Sequence, residues 1–194
     1  SFSKNTSSDL DKALSHLRKK NITKLILDVR NNPGGLLNQA VEVSDRFLKN
    51  ESLIVYTKGK TEEQNMSFTS HDKSIHIDYP MIILVNGGSA SASEIVAGAL
   101  QDLGRAIILG TNTFGKGSVQ TIIPLSDGSA LRLTTARYFT PGGKIIQENG
   151  IIPDIIIENK LIIKNKENNI NDKPEKSTDK EKIRRFLRER DLKK

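Results

Sequence analysis

The chain has no cysteine, no tryptophan and only three histidines among its 194 residues. Without thiols, neither a disulfide framework nor thiolate catalysis is available, and the redox compartment is left open. No apolar run approaches the roughly 20 residues of a membrane span. Ser1 opens no signal-peptide pattern, so the chain as given is expected to be soluble. Aromatics are scarce at 5%, and the apolar fraction of 36% sits on the low side of globular, which suits one packed core with polar extensions.

A preponderance of one charge sign is also missing over most of the chain. The net charge is +7, but residues 158–194 hold 13 Lys+Arg against 8 Asp+Glu, leaving 17 against 15 for everything before them. The basic excess belongs to the tail, whose signs are mixed and whose one aromatic is Phe186. That composition reads as a solvated segment and argues against a nucleic-acid partner.

What is present has the alternation of an α/β layer. Leu10, Ala13, Leu14 and Leu17 recur at helical spacing, which predicts a helix to about Lys20 with Ser7 or Ser8 as cap. KLILDV at Lys24–Val29 predicts a buried, parallel strand. A turn carrying Asp28, Arg30, Asn31, Asn32, Pro33, Gly34 and Gly35 leads into a helix pattern from Leu37 to Leu48. Such a glycine pair can aim amide N–H groups at an anion, or can be an ordinary tight turn held by an Asp28–Arg30 pair.

Strands are then predicted at Ser52–Thr57, near Met66–Thr69, at Met81–Val85 and at Ala106–Leu109, followed by Val119–Pro124, Ala130–Ala136 and Ile151–Ile157. Residues 158–178 have the composition of a disordered linker, and residues 179–194 read as a charged helix. His16, His71 and His76 all fall in polar surroundings, poor settings for a general base.

Two stretches carry chemistry. After Met81–Val85 comes Asn86, Gly87, Gly88 and the run Ser89, Ala90, Ser91, Ala92, Ser93, Glu94, placed at the first turn of a helix whose apolar residues include Ile95, Val96, Ala99 and Leu100. Free amides and the positive end of a helix dipole there would stabilise an oxyanion. The same residues also spell a capping box, Ser91 to Glu94. Further on, Gly110 to Lys116 nearly makes a phosphate-binding loop, but Gly117 stands where Ser or Thr must bind magnesium, and Ser118–Leu125 reads as a strand and not the required helix. Lys116, bracketed by Gly115 and Gly117, can instead serve as a desolvated base for a serine, with Gln120 in reach to orient it, or can be a surface lysine. The run lacks the closing glycine of GxSxG, which argues against an α/β-hydrolase.

The NNPGG turn, NGGSASASEIVAGALQD (Asn86–Asp102), TFGKGSVQ and DGSALRLTTARYFTPGG, taken together and in this order, closely resemble the carboxyl-terminal processing peptidases, or tail-specific proteases. The resemblance covers residues 1–157. It implies a serine endopeptidase that cleaves proteins near their C-termini through an acyl-enzyme, with Ser91 as nucleophile, Lys116 as base and Gln120 as its partner. The Ala92 amide, with that of Gly34 or Gly35, is the implied oxyanion hole. No cofactor or metal is expected.

The implied fold is the Clp-protease and crotonase-like spiral of repeated ββα units with an added β region and a polar C-terminal tail. Residues 1–157 would be the catalytic core, beginning one strand late, without the PDZ domain that captures substrate C-termini in the family. The partners are then protein C-termini, an oligomeric state is left open, and the family's usual location is the periplasm or cell envelope. A catalytically inactive peptide-binding relative and a crotonase-type acyl-CoA enzyme stand as the alternatives.

Overall fold

A computed structural model describes residues 1–71 and 79–157; His76, the linker expected at 158–178 and the helix expected at 179–194 lie outside the described residues. Two four-stranded sheets share the chain. The first is parallel, in the order β1 (Leu25–Asp28), β4 (Met81–Val85), β5 (Ile107–Gly110), β8 (Ile155–Ile156). The second is antiparallel, in the order β3 (Ser67–Thr69), β2 (Leu53–Gly59), β7 (Ala130–Phe139), β6 (Ser118–Pro124). The result is a mixed α/β fold.

Three helices complete it: α1 (Thr6–Lys19), α2 (Leu37–Asp45) and α3 (Ala92–Asp102). Every residue from Ala92 to Leu100 is buried, because α3 packs against α2, β2 and β5 and presents little but small and branched side chains. Ile54, Ile83, Val96, Ala97 and Ile108 are fully enclosed in the core between the helices and the sheets. Burial of each such side chain contributes about 1.5–3 kcal/mol. The other face of the parallel sheet keeps Ile26, Ile107 and Ile155 exposed.

Several boundaries differ from the sequence reading, each for a local reason. Asn5 caps α1, because Ser7 is already inside the helix, its amide donating to Gln39 Oε1 at 2.9 Å and its hydroxyl to Glu42 Oε2 at 2.5 Å. α2 stops at Asp45, not Leu48: the Phe47 amide turns back to Ser44 O, while Phe47 and Leu48 stay buried in the core. Only Ile155 and Ile156 of the Ile151–Ile157 run pair as a strand, since the Ile151 amide is taken by Thr113 Oγ1 and Pro153 has none. β7 runs on past Ala136 to Phe139, because its last four residues pair with β2.

At the start of the chain, Phe2 is buried and forms a parallel bridge to Gly35: its amide donates to Gly34 O and its carbonyl accepts from the Leu36 amide, both at 2.9 Å.

Candidate active site

β4 runs into the turn Asn86–Gly88, and the chain then enters α3 with Ser91 as N-cap. Ser91 has φ 54° and ψ −116°, a region that non-glycine residues occupy at a cost of about 1–3 kcal/mol. The conformation is that of a sharp strand-to-helix elbow, although the sequence lacks the closing glycine of GxSxG. The close approach is relieved from another segment: a Cβ on Gly34, whose φ is +92°, would lie 2.7 Å from Ser91 Cβ and 2.5 Å from Ala90 O.

The three serines take different parts. Ser89 is fully buried, its hydroxyl donating to Val29 O at 2.8 Å and accepting from the Asn86 amide. Ser93 is fully buried as well and donates to Asn32 O at 3.0 Å. Ser91 is half-buried and open to a ligand. Asn32 O also accepts from the Ala90 amide at 3.0 Å, and Asn31 and Asn86 exchange two bonds, so the NNPGG turn is stitched directly to the serine run.

The candidate oxyanion donors lie in this seam. The Gly34 amide donates to Asn32 Oδ1 at 3.1 Å, and Gly34 is buried. Gly35 is exposed, and because its bridge to Phe2 is made through its neighbours, its own N–H faces away from Phe2. Among the described residues neither the Gly35 nor the Ala92 amide has a partner. Asp28 and Arg30 pair at 2.7 Å at the end of β1, as the tight-turn reading expects; the guanidinium holds the carboxyl below the usual carboxylate range.

Lys116 lies in the turn between β5 and β6 and is half-buried. The turn is tight at the backbone. A Cβ on Gly115, whose φ is +86°, would lie 2.9 Å from the carbonyl carbon of Glu148, so the glycine is required by the 146–148 segment packed over it. Gly117 N donates to Gln147 Oε1 at 3.0 Å and Gly117 O accepts from the Tyr138 amide at 2.7 Å. Residues 118–124 form β6, which removes the phosphate-binding-loop reading.

Glu94 joins the two halves. Its side chain is fully buried. Oε2 accepts from the Ser91 amide at 2.7 Å and from the Lys116 amide at 2.9 Å; Oε1 accepts from the Gly115 amide and from Thr113 Oγ1, both at 2.6 Å. The two backbone nitrogens of the serine and the lysine therefore sit within two hydrogen-bond lengths of each other. Burial raises the Glu94 carboxyl above its ordinary range, and the four hydrogen bonds oppose that shift.

Ser91 Oγ and Lys116 Nζ are not hydrogen-bonded to each other in this conformation, and the exposed Gln120, on β6, makes no bond to Lys116. What the fold brings together is the backbone of the two residues, a looseness of side chains common in unliganded sites. The sequence reading placed Ser91, Lys116 and the glycine turn but treated Glu94 only as a cap. Its spacing from Ser91 was the available signal; its bonds to Thr113, Gly115 and Lys116 had none. Of the histidines, His16 is exposed on α1 and the His71 amide donates to Asp45 Oδ1 at 2.7 Å.

The arrangement has relatives. The profile of Peptidase family S41 matches residues 1–157. A carboxy-terminal-processing protease of Bartonella bacilliformis is 52% identical over 164 residues, covering 82% of this chain and 38% of that protein. A carboxyl-terminal-processing protease of Synechocystis is 45% identical over 161 residues, 83% of this chain and 37% of its own length. Among solved structures, a photosystem II D1 C-terminal processing protease superposes with a TM-score of 0.75 at 39% identity, covering 81% of this chain and 40% of that one. The chain thus spans under half the length of each of these relatives. With the family profile running across the described core from Ser1 to Ile157, this chain belongs to peptidase family S41.

Proposed function

We propose that this chain forms the catalytic core of a serine endopeptidase that cleaves protein substrates near their C-termini. The observation that carries the reading is the strained Ser91 at the start of α3, tied through one carboxylate oxygen to the backbone of Lys116. The names of the relatives, C-terminal processing proteases at up to 52% identity among those given above, supply the substrate class. Nothing comparable supports an acyl-CoA enzyme or an inactive peptide-binding relative.

Chemically, neutral Lys116 Nζ takes the Ser91 hydroxyl proton as Oγ attacks the substrate carbonyl carbon. The oxyanion is received by the Ala92 amide and by the Gly35 amide, which is exposed and uncommitted where that of Gly34 is bound to Asn32. Lys116 returns the proton to the departing amine, leaving an acyl-enzyme on Ser91. Water, deprotonated by the same lysine, then attacks the acyl carbon; the bond to Ser91 Oγ breaks, Lys116 returns the proton to Oγ, and the new carboxyl group is released. Gln120 orients the amine on substrate binding.

The site needs no metal or cofactor in this reading. We infer the spiral of repeated ββα units as its architecture, a substrate-capturing PDZ domain elsewhere in the longer protein, and a cell-envelope location.

The test is cleavage of a peptide with an apolar C-terminal tail by the parent, Ser91→Ala and Lys116→Ala proteins. Both substitutions are expected to abolish turnover. Parental rates in Ser91→Ala would overturn the reading.

A further inference from the structure

Glu94 is a fully buried acid with no cation paired to it among the described residues. Burying a charge without a countercharge is costly unless hydrogen bonds replace its lost hydration. Here the four partners do so, and their chemistry fixes the form of the acid. The amides of Ser91, Gly115 and Lys116 can only donate. Thr113 Oγ1 accepts from the Ile151 amide at 2.6 Å, which leaves its own hydrogen for Glu94 Oε1. Two donors meet each oxygen, so a proton on either would oppose them, and the arrangement fits the carboxylate.

A cap alone would need only the bond to Ser91. The other three go to the segment 113–116, which reaches the site by a separate route after β5. One backbone bond, from the Phe114 amide to Ser89 O at 2.9 Å, joins this segment to the serine run ahead of the helix, and none reaches residues 91–94 among the described residues. The acid therefore carries that link onward, from the first turn of the helix, where the nucleophile sits, to the backbone of the base itself.

We infer that Glu94, as a carboxylate, is a positioning residue that holds the backbones of Ser91 and Lys116 in register for proton transfer. It touches no substrate and moves no proton itself; it sets where the two groups that do so can meet. The inference rests on the peptidase reading for its catalytic consequence, while the tie itself can be measured without catalysis.

Glu94→Gln is the direct perturbation, because whichever end carries the amide NH2 then faces two donors. In the full chain, hydrogen exchange at Ser91, Gly115 and Lys116 is expected to accelerate together by at least about tenfold, with Ile108 in β5 unchanged. Acceleration at Ser91 alone would reduce Glu94 to a cap and overturn the inference. With an apolar-tailed peptide, kcat is expected to fall by about 100-fold and KM to stay within about twofold, the pattern of misplaced groups and not of lost binding.

A parental kcat in Glu94→Gln beside an inactive Ser91→Ala overturns the positioning role alone. A Ser91→Ala protein as active as the parent overturns the peptidase reading, with the exchange experiment still judging the tie.

If Glu94→Gln does not fold, the parent protein carries the test. Activity requires Lys116 without its proton, and, on this inference, Glu94 without its proton also. The acid limb of log kcat against pH should steepen from first to second order in protons at the pH where the Glu94 carboxyl carbon titrates by NMR, above the ordinary carboxylate range. A limb that stays first order through that titration overturns it.

Discussion

The proposed nucleophile and the proposed base live in contrasting surroundings. Ser91 opens a helix buried from Ala92 to Leu100, beneath a turn that is stitched to it by five hydrogen bonds, donated by Asn31, Asn86, Ser89, Ala90 and Ser93 and accepted by Asn86, Asn31, Val29 and Asn32. Lys116 stands two residues before the β6–β7 ribbon, whose residues 120–133 are all exposed, with Ile122, Leu131 and Leu133 in solvent. The lesson is one of division: the serine is fixed by a closed parallel layer, the lysine by a few backbone contacts at the root of an open arm. The unusual backbone of Ser91 is held on the closed side, whereas a loose segment would relax it.

The largest effects test whether both sides are needed for chemistry. Ser91→Ala and Lys116→Ala are each expected to lower kcat/KM by at least about 10⁴-fold in peptide cleavage. A lysine variant that kept a tenth of the parental rate would break the comparison at its base. Next comes Gly34→Ala, on the closed side. Its Cβ would press on Ala90 O and the Ala92 amide nitrogen, at 2.5 and 2.8 Å, in a backbone region unfavourable to alanine. A loss of about 1–3 kcal/mol in thermal unfolding is expected, with kcat about 100-fold down.

On the open side, Gln120→Ala removes at most one hydrogen bond to the amine. An effect within about tenfold is expected, seen in kcat and not in unfolding. A larger drop would show that the arm is more ordered around substrate than its exposure suggests. Ser91→Gly isolates the strain: activity disappears while the protein gains about 1 kcal/mol in unfolding free energy, because glycine accepts φ 54° without penalty. No gain would mean that the elbow is not strained.

The smallest effect concerns Asp102, at the end of α3, which joins the closed helix to the turn after β7. Burial raises its carboxyl, but bonds from Lys144, Thr140 and the Gly142 amide outweigh burial and leave it lowered. A lowered folded value contributes stability that is present above the unfolded value and lost as pH falls through the folded one. Asp102→Asn should therefore cost about 1 kcal/mol at neutral pH, and the difference from the parent should vanish at acid pH below the ordinary aspartate range.

The same contrast governs how much was legible in the sequence. The Ser91–Glu94 spacing announces a helix start, and KLILDV and MIILV announce strands, because these features are set by neighbours in the chain. α1 escaped its predicted cap because Ser7 meets Gln39 and Glu42, residues more than thirty positions away. Ile151 left its predicted strand because Thr113 claims its amide. Likewise the second half of Glu94's role needs residues 113–116 folded against it, and the relief of the Ser91 elbow comes from Gly34, not from the GxSxG glycines. The order of strands in the two sheets is a matter of long-range pairing and left no local mark. The resemblance to a family supplied what local pattern could not: which of the three serines to propose as the nucleophile.

Phe2 gives the site a mechanical consequence. Two backbone bonds from this one buried residue grip the chain on either side of Gly35, in the manner of fingers holding a key. A displacement of the backbone at residue 2 is transmitted to the glycine turn across a single pair of hydrogen bonds, with no flexible linker between. Tension or rotation at Phe2 therefore acts on the backbone around Gly35 and, through Gly34, on the packing directly beside Ser91.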